Sequence, residues 1–357
     1  MSDTPTRHDL ALALSGGNAL GAYHGGVYEA LHDRGLEPDR VAGASAGAIV
    51  GALICGNRRD ERLAALRSFW RPASGPPLFT AAETLRRSAA AATAAAAGRP
   101  GLFTPRAMTM NMEPPSLYDT APLARSLEQS IDLDRLNSGS PRFTATAVDL
   151  ESGEDVMFDT AHDPLSIAHL RASCALPPAF PPQWIGGRLI ADAGVSANLP
   201  LDAVLADSAK RPLLCIAIDL LPLHRPAPTT VTEAAERMQD LIFATQSRRA
   251  IAAWQAVFDE RTRRGDAASV TLLHIAYTDQ DEEVVGKAFD FSPESVRARW
   301  LSGQRDMQRA LADLDAGRIA IGEPGLTVYA ADPAASGPPF LRRVRYDLAP
   351  RPFRPAG

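Results

Sequence analysis

Residues 43–47 read Gly-Ala-Ser-Ala-Gly, set between the short apolar run Arg40–Ala44 and the longer apolar run Ala46–Cys55. A pentapeptide of such small residues between a strand and a helix permits a very sharp turn, with backbone passing close to backbone. An earlier stretch has the same build. Asp9–Leu14 reads as a buried strand, Ser15-Gly16-Gly17-Asn18 as a glycine turn, and Ala22–Arg34 as an amphipathic helix with Val27, Ala30 and Leu31 on one side. Two strand-turn-helix units in 55 residues predict an α/β fold: a mostly parallel central sheet flanked by helices in three layers.

The rest of the chain extends that pattern. Phe143–Leu150 reads as a strand turned by Glu151-Ser152-Gly153 into Asp155–Phe158, Arg188–Ala191 as a short strand ending at Asp192, and Val270–Tyr277 as a further strand. Leu213–Leu220 is apolar throughout, as a central parallel strand is. Helical patterns cover Ala81–Ala97, Ala121–Ile131, Pro164–Ser173 and Thr232–Arg264, the last as one or two helices. Ser292-Pro293-Glu294 starts another helix, reaching about Leu314. The Ala-rich and Met-rich stretch Ser88–Pro115, with Met108, Met110 and Met112, reads equally as an apolar lid or a plain surface loop. The expected organisation is a catalytic unit over 1–222, a mainly helical extension over 223–320 and a Pro/Arg-rich tail over 321–357.

Composition excludes several classes. The 357 residues carry a formal charge of −5, so nothing argues for a nucleic-acid partner. Cys55, Cys174 and Cys215 are an odd number in apolar settings, which reads as buried thiols without a disulfide framework. The first apolar run leads directly into the glycine turn, so no cleavable signal is expected, and no uncharged apolar stretch reaches membrane-span length. The expectation is a cytoplasmic protein with room for peripheral membrane contact. No His/Cys/carboxylate cluster has ligand spacing and no calcium loop is present, so neither metal nor cofactor is expected. Oligomeric state leaves no trace in the sequence.

Both glycine turns are anion-binding devices, and their residues distinguish the anion. Gly16 and Gly21 have the first spacing of a nucleotide-binding loop, but Ala22-Tyr23 follow where lysine and a hydroxyl residue are needed. Gly-x-Ser-x-Gly between strand and helix instead exposes Ser45 as a nucleophile at the end of the sheet. A histidine base is hard to find among the seven. His24 opens His-Gly-Gly but lies only one helix and one strand before Ser45, and reads as an ordinary helix residue. His224 and His274 follow Asp192 in a permitted order, yet neither sits in a recognisable loop. Asp192 ends a short apolar strand before Ala193-Gly194, with Asn198 and Pro200 close behind.

With these motifs assembled, the sequence resembles the patatin-like phospholipases. Four segments carry the resemblance in order: the loop Ser15–Gly21, the turn Gly43-Ala44-Ser45-Ala46-Gly47, the segment Ala172–Pro182 (ASCALPPAFPP), and Asp192-Ala193-Gly194 with Asn198-Leu199-Pro200. The resemblance implies a Ser45–Asp192 dyad without a catalytic histidine, acting on an acyl ester of a lipid. It also implies an oxyanion held by the backbone around Gly16, Gly17 and Asn18. Asn18 and Leu20 stand where the family has glycine and a basic residue, and Ala193 where glycine is typical. Rival expectations are an acyltransferase, a short-ester or polyester hydrolase, and a decayed lipid-binding scaffold.

Overall fold

A computed structural model describes residues 8–75, 80–106, 115–207, 211–331 and 337–348. The first four elements are β1 (Asp9–Leu14), α1 (Ala22–Asp33), β2 (Arg40–Ala44) and α2 (Ala46–Cys55). Then come α3 (Arg62–Trp70), α4 (Ala81–Ala97), the two-residue strands β3 (Thr104–Pro105) and β4 (Tyr118–Asp119), α5 (Ala121–Ser130) and α6 (Leu133–Leu136). A third group holds β5 (Arg142–Asp149), β6 (Asp155–Asp159), α7 (Ile167–Ser173), β7 (Gln183–Ile185), β8 (Arg188–Asp192) and α8 (Asp202–Leu205). The last is β9 (Leu213–Asp219), α9 (Val231–Arg263), β10 (Ser269–Ala276), α10 (Pro293–Asp315), β11 (Gly325–Ala331) and β12 (Leu341–Val344).

One sheet joins all the strands except β3 and β4, which pair with each other, in the order β12-β11-β10-β9-β1-β2-β5-β8-β7, with β6 also paired to β5. The run from β11 to β5 is parallel; β12, β6, β8 and β7 pair antiparallel to their neighbours. β1, β9 and β10 are buried along almost their whole length; β1 after Asp9 and β9 up to Asp219 are accordingly apolar throughout, while β10 buries Thr271 and His274 among its apolar residues. From β1 the chain steps first to β2 on one side and later to β9 on the other, so the carboxyl end of β1 is the point where strand order reverses. In open α/β sheets that is where ligand crevices form, and here it is where the glycine turn begins.

Two features add to the expected organisation. Beyond residue 320, β11 and β12 lengthen the sheet, and Leu341 and Val328 are buried. Leu341 N–H also donates to Asp313, 2.7 Å away. The alternation in Leu326–Ala330 is short and the proline-rich context masks it. The helical region 223–320, with α9 and α10, also carries β10, which pairs directly with β9, and α10 lies along α1. Gly25, Gly26 and Gly303 permit that close helix pairing; a Cβ at Gly26 would fall 1.8 Å from the Trp300 carbonyl oxygen. The Ala-rich stretch forms α4, whose Arg87 is buried against the C-terminal region; Met108, Met110 and Met112 lie outside the described residues.

Candidate active site

Strand register brings the site together. Ala44 pairs with Thr146 on β5, so Ser45 follows level with Ala147, and Ala147 pairs with Asp192 on β8. Ser45 and Asp192 therefore face each other across one strand, at about 5 Å per strand step. The turn holding Ser45 needs both flanking glycines. A Cβ at Gly43 would meet the Gly47 carbonyl oxygen at 2.3 Å, and one at Gly47 would meet the Leu14 carbonyl oxygen at 2.1 Å. Gly47→Ala is therefore expected to destabilise the fold by about 3 kcal/mol, read from a lowered urea midpoint at unchanged slope.

Ser45 sits at φ 54°, ψ −122°, a strained position for a residue with a side chain, and is the N-cap residue of α2. The Ala172–Pro182 segment holds it there. Ser45 N–H donates to Ser173 Oγ at 3.2 Å, and Ser173 Oγ–H in turn donates to the Thr146 carbonyl at 2.7 Å. Cys174 Sγ–H donates to the Ser45 carbonyl at 3.2 Å. Sequence reading located this segment by resemblance but assigned neither Ser173 nor Cys174 a role.

Asp192 is 1% exposed. Burial pushes its carboxyl up to about 6, while the neighbouring Ser45 hydroxyl and the hydrogen bond from the Gly194 N–H (2.7 Å) pull it back. Ala193 is accommodated where the resemblance leads one to expect glycine, because it adopts no left-handed backbone.

The glycine turn is fastened at its start. Ser15 N–H donates to the Ile218 carbonyl, Ser15 Oγ accepts from Leu220 N–H at 3.0 Å, and His24 Nε2–H donates to the Ser15 carbonyl at 2.9 Å. Burial lowers His24 to about 4, so the ring is neutral. Gly16 exchanges two bonds with Asn198: its N–H donates to the Asn198 carbonyl at 3.2 Å, and Asn198 Nδ2 donates back to its carbonyl at 3.3 Å. Gly16 also lies so near the nucleophile that a Cβ would fall 2.9 Å from Ser45 Cβ. Gly17 and Asn18 follow, and Asn18 holds φ 50° in the left-handed region that asparagine tolerates best after glycine.

Ser45, Asp192, Gly16, Gly17 and Asn18 line one cleft with about 1080 Å³ of empty space, open to solvent. Its walls are apolar, with Ile49, Trp70, Phe103, Leu123 and Phe180 before β9 and Leu221, Phe243, Phe289 and Phe291 after it. The C-terminal walls went unforeseen, since isolated phenylalanines carry no motif. Lys287 also reaches the cleft, its ammonium bonded to Asp240 (2.8 Å) and Gln280 (2.7 Å). Among the described residues no histidine lines the cleft; His274 is paired with Tyr346 on the far part of the sheet. Among the described residues no group of His, Cys, Asp and Glu could hold a metal ion.

An α/β sheet with a strained serine in Gly-x-Ser-x-Gly, facing a buried aspartate rather than a histidine, defines a class of protein. Residues 12–205, over half the chain, match the patatin-like phospholipase family, and residues 232–318 match a second patatin phospholipase family. The chain belongs to the patatin-like phospholipases. An uncharacterized NTE family protein of Mycobacterium tuberculosis is 30% identical over 234 residues, 64% of this chain and 55% of that relative. The chain thus spans about half the length of the curated relative. A triacylglycerol lipase of Schizosaccharomyces pombe is 42% identical over 64 residues, 18% of this chain and 13% of that one. The crystal structure of VipD from Legionella pneumophila aligns over 86% of this chain and 67% of its own at 14% identity, with a TM-score of 0.44. No helix among the described residues is long and apolar enough to cross a membrane.

Proposed function

We propose that this protein is a lipid acyl hydrolase working through an acyl-enzyme on Ser45. The observation that carries the reading is a strained Ser45 and a buried Asp192 brought together across β5 at one apolar cleft. Asp192 accepts the Ser45 proton as Oγ attacks the ester carbonyl. A carboxyl lifted to about 6 is a better base than an exposed aspartate and is still largely ionised at neutral pH. The developing oxyanion takes hydrogen bonds from the Gly17 and Asn18 N–H groups, because Gly16 N–H is already engaged by Asn198. Asp192 returns the proton to the leaving alcohol, then activates the water that releases the fatty acid.

The apolar walls receive the acyl chain, and the family makes a phospholipid or lysophospholipid the first substrate to try. Vesicles of phosphatidylcholine incubated with the enzyme are expected to yield free fatty acid and lysophospholipid, quantified by mass spectrometry. Acyl transfer to an added alcohol without net hydrolysis would replace this reading with the transferase one.

A further inference from the structure

We infer that Arg299, on α10, is a positioning residue for the glycine turn; this rests on the reading of that turn as the oxyanion site. Arg299 is fully buried, and all five of its N–H donors are spent. Nε and Nη2 clasp the two Glu283 oxygens at 2.7 and 2.6 Å. Nη1 donates to the Asp290 carbonyl at 2.7 Å and to the Ala19 carbonyl at 3.1 Å, and Nη2 donates to the Lys287 carbonyl at 3.0 Å.

Ala19 is the residue directly after Asn18. The turn is thus fastened before its donor peptides by Ser15 and Gly16, and after them by a guanidinium from a segment 280 residues further on. Leu20, the neighbouring side chain, is wholly buried and has no polar group to do this itself. The same guanidinium fixes Lys287, whose own residue and its neighbours Ala288 and Phe289 form a cleft wall. One planar group therefore sets the spacing between the turn and the C-terminal wall.

Its contribution is placement rather than field. Around it stand a second arginine, Arg87, and the two acids Glu283 and Asp290, so the charges cancel locally. Arg87 Nε donates to Ser295 Oγ at 2.6 Å, and Tyr277 OH donates to Glu283 at 2.9 Å, completing a rigid polar island under the turn. Lysine in place of Arg299 keeps the charge but offers three donors on a point, and cannot reach Glu283 and three carbonyls together.

The test compares Arg299→Lys with Arg142→Lys, which weakens a clasp on Asp159 at the start of β5, the sheet end away from the site. With a soluble short-chain ester, Arg299→Lys is expected to lower kcat by about 10- to 100-fold with KM changed by less than about threefold. Arg142→Lys is expected to lower the melting temperature while leaving kcat unchanged. Folded Arg299→Lys with wild-type kcat overturns the inference. If Arg299→Lys does not fold, Glu283→Gln, which loosens the clasp and keeps Arg299, decides by the same split. Amide hydrogen exchange across residues 16–20 is read in parallel on the same folded variant. Faster exchange there than in wild type supports the anchoring even if no variant, wild type included, turns over ester, in which case only the catalytic reading falls. Unchanged exchange overturns it.

Discussion

Ser45→Ala is expected to abolish ester hydrolysis, with a fall of at least about 10⁴-fold in kcat, while the protein stays folded and still binds fatty acid. The size follows from the covalent step: without Oγ no acyl-enzyme forms, and the turn can only polarise a carbonyl that nothing attacks. The fold survives because the interactions that hold this residue are made by its backbone. Ser173 and Cys174 grip its N–H and carbonyl, and Gly43 and Gly47 let the turn close. Alanine inherits the same strained φ of 54°, so the strain of about 1–3 kcal/mol stays in the variant. Equal melting temperatures with activity absent separate the chemical role from a structural one.

Asp192→Asn is expected to lower kcat by about 10³- to 10⁴-fold, to remove the acid limb of the pH profile, and to leave the protein at least as stable as wild type above pH 6. For the wild type, kcat/KM should rise with pH through about 6 and level off above it, as the Asp192 carboxyl loses its proton. The stability effect runs the other way. A carboxyl whose folded value is raised binds its proton more tightly in the native state, so native stability declines as pH rises from about 4 to about 6. A displacement from 3.8 to about 6 corresponds to about 3 kcal/mol of ionisation held against burial at neutral pH. Asparagine removes that ionisation and its Oδ1 still accepts from Gly194 N–H. Urea midpoints at pH 4.5 and 7.5 check it: the variant should gain on wild type only at the higher pH. A wild-type protein more stable at 7.5 than its Asn variant would mean that Asp192 is not held against its burial.

Much of this was legible before any coordinates. The bounds read for β1, β2 and α2 agree with the structure residue for residue, because apolar runs between small-residue turns leave little choice. Asp192 could be singled out as the end of a short strand, although its distance from Ser45 depends on the register through β5, which no local pattern encodes. The C-terminal third was less transparent. β11 and β12 form only because β10 offers an edge, and Arg299 is one arginine among many until it is seen clasping Glu283 beneath the glycine turn. Leu20 read as a lost charge; the structure shows an apolar residue packed in the core with the polar anchoring of its neighbour Ala19 done from α10.

The most direct measurement is covalent labelling with a fluorophosphonate across pH 4.5 to 8, the modified peptide being located by mass spectrometry. The Ser–Asp account predicts a single labelled site at Ser45, a rate that climbs through about pH 6, and labelling slowed at least about 100-fold and without that pH rise in Asp192→Asn. Folded wild-type protein that stays unlabelled, or that labels at another serine, would contradict it.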